Sequence, residues 1–295
     1  LNPAPGALLS DRFEVVRVLG SGSTARGVLV HDREHDDLVR VLKVGLDDSA
    51  DVRLRDEAAV LTQIGARQPP VPGVVELIEG PLDLAFNRTA LLLSNGGEQT
   101  LAYVVRYTPL GEGQLKTWGL ELLDAVVALD AAGITHRDIK PANLGLSRPE
   151  GKTRSAKARL ALFDFSLSRA PVDQLDAGTP PYRDPFLGTG LRTSFASAAG
   201  RYSVGVVLFE MATASTPEYG DGMSDPGVLK DEVTVSPEDF TAGGLSRSRA
   251  EGLVGFFRIA LARNAKDRFD TASSMRSAWS TVFKTRNTTE PVSPP

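Results

Sequence analysis

The chain of 295 residues is 41% hydrophobic and 24% charged, which is ordinary for a packed globular protein. Its 33 basic and 37 acidic residues leave a net charge of −4, which argues against direct nucleic-acid binding, and the lack of cysteine excludes disulfides and thiolate metal sites. The absence of cysteine also favours a cytoplasmic location. Every apolar run is far shorter than the roughly 20 residues that span a bilayer, so we expect no membrane segment.

The two ends of the chain have the composition of linkers. Residues 1–10 contain two prolines and a glycine without a starting Met or a signal pattern, and residues 286–295 are rich in Thr and Pro. We therefore expect one domain of a larger protein, whose other domains are among its partners.

The first part of the chain has the pattern of a small sheet. Short β-branched runs separated by turn residues predict three antiparallel strands, then a helix that Gly65 stops, then two more strands. The strands are expected at 13–19, 28–31, 38–44, 74–79 and 90–93, and the helix at 51–64. This predicts a first lobe, residues 11–96, of five antiparallel strands and one helix.

The second part, residues 97–285, is mainly helical. Apolar residues from Leu115 onward repeat at steps of three and four until Gly133, which predicts a long amphipathic helix. Further helices are expected at 202–213, 248–262 and 272–283. The basic, turn-rich stretch 147–158 favours a solvated hairpin over a docking site. Together the two parts predict an α+β fold with two lobes.

The most informative segment is His136-Arg137-Asp138-Ile139-Lys140-Pro141-Ala142-Asn143. Five chosen residues at this spacing arise by chance in a chain of this length with odds of roughly one in ten thousand. The segment resembles the catalytic loop of the protein kinase family, and the resemblance extends over nearly all of residues 11–283. It implies the two-lobed protein-kinase fold and transfer of the γ-phosphoryl group of ATP to a protein hydroxyl.

The resemblance gives each polar residue of this loop a task. Asp138 is expected to accept the proton of the substrate hydroxyl, and Asn143 to hold a Mg²⁺ ion. Lys140 is expected to steady the transferred phosphoryl group. In the family a Lys at this offset accompanies serine/threonine specificity.

A second metal ligand follows 21 residues after Asn143. The segment Leu162-Phe163-Asp164-Phe165-Ser166 resembles the strand that leads into the D-F-G motif, whose Asp binds Mg²⁺. Ser166 stands where the family has Gly, a residue that permits unusual backbone angles. Our hypothesis is that Ser166 disfavours the flipped, inactive form of this loop.

The nucleotide site is expected between the two lobes. The backbone of a Gly-rich turn that begins at Gly20 can cover phosphates. Lys43 is the candidate to bind the α- and β-phosphates, with Glu57 as its partner and Asp56 as the alternative partner. A Lys on a strand and a Glu on the next helix would, without the other motifs, usually be an ordinary pair of exposed surface residues. The expected nucleotide-binding residues are Gly20, Ser21, Gly22, Ser23, Val41, Lys43, and the hinge residues Leu93, Ser94 and Gly96.

Two departures from the family meet in this expected pocket. Gly27 stands where the family has the Val that covers adenine, and Val41 stands where it has Ala. Our hypothesis is that the larger Val41 compensates for the smaller Gly27.

Residues 178–186 resemble the peptide-binding segment of the family, which favours a protein substrate. Phe186 replaces the Glu that normally pairs with an Arg near the end of the domain, here Arg268, so we expect that ion pair to be missing. Gly200 stands in place of the Asp that braces the catalytic loop. This is the departure that most threatens activity.

Arg137 is the residue that in the family usually meets a phosphate on the loop after Asp164. Before Thr179 that loop contains only two hydroxyl side chains, both close to Asp164. Our hypothesis is that Asp173 or Asp176 supplies the negative charge permanently, so that loop phosphorylation is not needed.

A narrower resemblance is to eukaryotic-like (Hanks-type) bacterial serine/threonine kinases, and within them to the large kinases of phage-growth-limitation, or BREX-type, defence systems. It is carried by the segments 20–26, 41–44, 162–167, 178–182 and 184–187. It implies antiviral signalling, with a protein substrate that can include the chain itself.

Two other readings remain open. A pseudokinase scaffold would bind nucleotide without transferring phosphate, and the retained catalytic residues argue against it. A small-molecule kinase of related fold is disfavoured by Lys140, by the Thr179 segment and by the helices after Tyr202.

Overall fold

The computed structural model describes residues 3–22, 24–84, 88–97, 99–148, 157–189 and 194–284. Ser23, the tail 286–295 and most of the predicted hairpin at 147–158 lie outside these ranges. The described residues form the expected two lobes, a small one built on a sheet and a larger one that is mainly helical.

The first lobe is a six-stranded antiparallel sheet with the strand order β1-β2-β3-β4-β6-β5. The strands are β1 (Leu8–Leu9), β2 (Phe13–Ser21), β3 (Ala25–Asp32), β4 (Leu38–Gly45), β5 (Leu77–Leu84) and β6 (Arg88–Leu93). β1 adds one strand to the five expected, because Leu8 and Leu9 pair with β2 inside the stretch whose composition predicts a linker.

The strand expected at 74–79 is shifted toward the C-terminus. Its first residues leave the sheet: Val74 forms a parallel bridge with Leu162, and the Val75 N–H donates to the Leu162 carbonyl at 3.1 Å. A short apolar run looks the same whether it pairs within a sheet or contacts another lobe. Here the first residues of the run contact Leu162 of the second lobe, and the later residues pair within the sheet.

Helix α1 (Ala50–Gly65) packs across the sheet, close to the expected bounds. Leu54, Glu57, Ala58 and Leu61 are buried, at the i, i+3, i+4, i+7 spacing of one helical face. Glu57 is the one charged residue among the buried positions of α1, so the helix directs a carboxylate toward the space between the lobes.

The second lobe contains six α-helices in its described part, and all the expected long helices are present. The helices are α2 (Leu101–Val105), α3 (Glu112–Ala131), α4 (Ser197–Thr213), α5 (Glu238–Thr241), α6 (Arg247–Ala260) and α7 (Ala272–Val282). The short strands are β7 (Leu144–Ser147), β8 (Arg159–Leu162), β9 (Glu218–Tyr219) and β10 (Val233–Thr234). β7 pairs antiparallel with β8, and the catalytic loop leads directly into β7.

Helix α4 is the centre of this lobe. Residues 202–209 are all buried because the helix is apolar on every side. One continuous apolar cluster runs from α4 and α3 to Leu61 of α1 and to Phe165. No helix in the described ranges combines the length and the apolar character that crossing a membrane requires.

Candidate active site

The two lobes meet at a chain of ion pairs. The Lys43 Nζ of β4 lies 2.5 Å from the Glu57 Oε2 and 2.7 Å from the Asp164 Oδ1. The other Glu57 oxygen, Oε1, accepts the Phe165 N–H at 3.1 Å. The strand, the helix and the segment after β8 are therefore locked in one arrangement, and Glu57, not Asp56, is the partner of Lys43.

The charges of this cluster are set by burial and by one another. Burial opposes the charge on Lys43, but the two neighbouring carboxylates outweigh it and raise the Lys43 pKa. For Glu57, burial is the larger effect and raises the pKa, although the positive charge of Lys43 acts to lower it. For Asp164, burial is outweighed by the charge and hydrogen bond of Lys43, which hold its pKa well below the ordinary value. Asp164 is thus an ionised carboxylate at neutral pH.

The catalytic loop places a carboxylate, an amine and a hydroxyl in mutual contact. The Thr179 Oγ1 donates to the Asp138 Oδ1 at 2.8 Å, and the Lys140 Nζ lies 2.7 Å from both the Asp138 Oδ2 and the Thr179 Oγ1. Asp138 therefore accepts a hydrogen bond from an alcohol while a cation stands beside it. A general base for a hydroxyl substrate needs this arrangement.

His136 supports the loop from below as a neutral ring. Its Nε2 is 3.0 Å from the Phe163 carbonyl and its Nδ1 accepts the Asp138 N–H at 3.3 Å, which fixes the proton on Nε2. Burial is the main reason that the His136 pKa is lowered. The ring packs edge-on against Phe165 with 4.5 Å between centroids, so the loop and the segment after Asp164 are held together.

Asn143 and Asp164 fit a magnesium site. The Asn143 Nδ2 donates to the Asp138 carbonyl at 2.9 Å and to its carboxylate at 3.2 Å, which leaves the Asn143 Oδ1 as a free ligand. Both residues line the same cavity. Mg²⁺ is usually bound by one or two protein oxygens together with water and substrate phosphates, and the described residues hold no larger ligand cluster.

A cavity of about 660 Å³ between the lobes is large enough for a nucleotide. Its lining includes all the described residues that the sequence assigns to the nucleotide: Gly20, Ser21, Gly22, Val41, Lys43, Leu93, Ser94 and Gly96. Ser23 lies outside the described residues. Gly27 and Val41 both line the cavity, as the compensation hypothesis requires, and a Cβ at Gly27 would sit 3.7 Å from the Leu19 Cβ.

Sequence reasoning missed Arg53, which also lines this cavity. Arg53 lies four residues before Glu57 on α1, and this spacing puts both side chains on the same side of the helix. Once Glu57 is assigned to the site, the four-residue spacing in the sequence is enough to place Arg53 near it. An exposed arginine on a helix gives no other signal.

The comparisons with known proteins agree with this geometry. The protein kinase domain family matches residues 13–280. The chain belongs to the protein kinase family. It is 36% identical to the probable kinase PglW of Streptomyces coelicolor over 99% of its length, and 31% identical to the serine/threonine-protein kinase PknB of Mycobacterium tuberculosis over 91%.

A crystal structure of a kinase domain superposes with a TM-score of 0.70, covering 95% of this chain and 98% of the other, at 17% identity; this likeness shows the fold alone. The chain spans 20% of the length of PglW and 42% of that of PknB.

The direct contacts of Arg137 in this kinase domain differ from those that one sequence hypothesis suggests. Its guanidinium donates to main-chain carbonyls at Ala170, at Pro171 (2.8 Å) and at Gln174 (2.9 Å), and it lies over the Phe195 ring at 4.4 Å. Asp173 acts on it only through its charge at a distance. The loop is held by carbonyl oxygens, not by a carboxylate.

Arg268 contradicts a second expectation, since it does form a buried ion pair. Its Nη1 lies 2.6 Å from the Asp184 Oδ2, with 1% and 0% of the two side chains exposed. Asp184, two residues before the expected position, thus replaces the family Glu. Phe186 is buried beside the pair, 5.7 Å from the guanidinium, and the Phe186 N–H donates to the Asp184 Oδ1.

Gly200 brings no carboxylate to the catalytic loop, as the sequence indicates. It lies in α4 beside a cavity of about 20 Å³ under the loop, and a Cβ there would sit 3.7 Å from the Thr135 Cγ2. The loop is held from the other side, where Asn143 contacts the Asp138 carbonyl and His136 contacts Phe163. Asp138 therefore keeps its hydrogen bonds to Thr179 and Asn143 although Gly200 replaces the Asp that supports this loop in the family.

Proposed function

We propose that this domain transfers the γ-phosphoryl group of ATP to serine and threonine hydroxyls of proteins. The observation that carries the proposal is the triangle of Asp138, Lys140 and Thr179, in which an aliphatic hydroxyl already donates to the carboxylate at 2.8 Å. A serine or threonine side chain of a substrate offers the same group. Similarity to the serine/threonine-protein kinase PknB supports this specificity.

The roles follow from the contacts. Asp138 orients the substrate hydroxyl and accepts its proton, while Lys140 places positive charge next to the attacking oxygen. Lys43, held by Glu57, offers its ammonium to the phosphates that enter the cavity. Asn143 and Asp164 would hold Mg²⁺, which when bound neutralises charge on the phosphates. The residues named in the sequence analysis thus remain our proposed catalytic, nucleotide and metal sites.

A peptide panel tests the specificity. Peptides that differ only in carrying Ser, Thr, Tyr or Ala at one position are incubated with the domain, ATP and Mg²⁺, and incorporated phosphate is counted. We expect labelling of the Ser and Thr peptides and none of the Tyr peptide. Labelling of the Tyr peptide at a comparable rate would contradict the proposed specificity.

We further propose that the domain acts in the cytoplasm, in bacterial phage defence, as part of a longer protein. Similarity to PglW over 99% of the chain supports this role. In a bacterium that carries the complete system, Asp138→Asn in the chromosomal copy should raise the efficiency of phage plating to that of a strain without the gene. Unchanged protection would contradict the role but not the chemistry.

A further inference from the structure

A groove of about 900 Å³ opens beside the peptide-binding segment on the second lobe. One wall contains Pro180 and Pro181, the two residues that follow Thr179. The other wall is the connection between β9 and β10, residues 220–232. Because Thr179 contacts Asp138, the edge of this groove at Pro180 lies next in the chain to a residue that touches the catalytic carboxylate.

The groove wall exposes large apolar side chains. Met223 is 93% exposed and Val228 is 80% exposed, and both line the groove. In the described part of the chain, Tyr107 at 81% is the one other large hydrophobic residue that reaches this level. Apolar groups that remain exposed together mark binding surfaces, and an unbranched Met adapts to different partners.

The loop is held in a defined shape and is not simply extended into solvent. The Asp221 carboxylate accepts the N–H groups of Met223 at 3.0 Å and Ser224 at 2.8 Å. The Asp225 Oδ1 accepts the Gly227 N–H at 2.8 Å. These hydrogen bonds fix the turns that present Met223 and Val228.

The same wall is strongly acidic. Residues 218–232 contain five acidic side chains and one lysine, a net charge of −4 that equals the net charge of the whole chain. All five carboxylates are on exposed residues, and Glu218 and Asp225 line the groove directly. The cation on the opposite wall, Arg183, donates to the Asp176 carbonyl at 2.6 Å. Arg263 also donates to the loop, at the Pro226 carbonyl (2.9 Å) and the Gly227 carbonyl (3.4 Å). Arg183 and Arg263 together offset two of these negative charges, and the acidic excess that remains attracts positive charge.

We propose that this groove docks a basic segment of the protein substrate, at a distance from the phosphorylated hydroxyl. An apolar side chain of that segment packs against Met223 and Val228, while its Lys or Arg residues face Glu218 and Asp225. The inference rests on the proposed kinase function and gives the substrate a chemical class. Docking raises the local concentration of the acceptor, so it lowers KM for a basic protein without changing the chemical step.

Two double variants test the docking groove: Met223→Ser with Val228→Ser, and Glu218→Lys with Asp225→Lys. Tyr107→Ser, an equally exposed residue outside the groove, is the matched control. Phosphorylation of a histone mixture, a basic substrate, and of casein, an acidic one, is measured at saturating ATP. We expect KM for histone to rise about tenfold in both double variants, with kcat within about twofold of wild type.

The charge-reversed variant should also lower KM for casein, and Tyr107→Ser should leave both KM values unchanged. Histone KM values equal to those of Tyr107→Ser in both double variants would overturn the proposal. A direct measurement separates docking from catalysis: fluorescence anisotropy of a labelled peptide of alternating Arg and Leu. Weaker binding of the peptide by both double variants supports docking, even if the wild type transfers no phosphate. Unchanged binding contradicts docking, even if the wild type is an active kinase.

Discussion

Replacing Asp184 by alanine should destabilise the domain more than almost any other single change at a polar residue. Arg268 would stay buried between the Phe186 and Tyr202 rings, with main-chain carbonyls such as that of Ala262 as its remaining acceptors. Breaking a buried pair by removing one partner costs about 3–5 kcal/mol of unfolding free energy. For a domain of this size the melting temperature should fall by about 6–20 °C.

Urea unfolding followed by circular dichroism measures this loss, with Glu238→Ala as the matched control. The Glu238–Arg247 pair has a similar N–O distance of 2.7 Å, but both side chains are more than 60% exposed, so its loss should cost far less than the loss of the buried pair. Adding Arg268→Leu to Asp184→Ala should recover part of the stability. A cost for Asp184→Ala no larger than that for Glu238→Ala, or strictly additive effects, would refute the reasoning.

Four further predictions concern the catalytic loop and its supports. Burial lowers the His136 pKa, so as the pH falls below about 6.5 the unfolded chain binds a proton that the folded chain does not. The free energy of unfolding should therefore drop by up to about 1.4 kcal/mol per pH unit, and His136→Gln should flatten this pH dependence between pH 7.5 and 5. Gly200→Ala should stabilise the domain by about 0.5–1 kcal/mol, since a helical glycine is replaced where a Cβ has room; destabilisation would contradict that space. Phosphatase-treated protein should keep its transferase activity because three main-chain carbonyl oxygens already bind the two terminal nitrogens of Arg137, and complete inactivation would show that a phosphate is needed. Ser166→Gly should increase affinity for inhibitors of the flipped loop relative to those of the active form, and an unchanged ratio would count against a role for Ser166.

The site could be predicted where chemistry fixes residue types at short spacing. The structure brings Asp138 and Lys140 into contact and pairs Lys43 with Glu57, and these are the groups that phosphoryl transfer needs at those offsets. The two lobes and their long helices followed from apolar periodicity. The strand at 74–79 was shifted because periodicity does not reveal which neighbour an apolar run contacts.

Partners that depend on tertiary packing could not be predicted. Asp184 and Arg268 are 84 residues apart, and the ion pair moved to Asp184 when the family Glu was absent. The contacts of Arg137 with main-chain carbonyls leave no trace in the sequence, since every residue has a carbonyl group. The groove that we propose for docking could not be predicted either, because a loop with scattered acidic and apolar residues has the sequence of an ordinary solvated connection.

The most direct test of the proposed activity is transfer of labelled phosphate from Mg-ATP to the domain itself and to a general protein substrate. Asp138→Asn, with its fold checked by circular dichroism, is the control because it keeps the size of the side chain but removes the base. We predict label on wild-type reactions that disappears with Asp138→Asn. No transfer by the wild type, with ATP binding intact, would contradict the proposed activity and favour a nucleotide-binding scaffold.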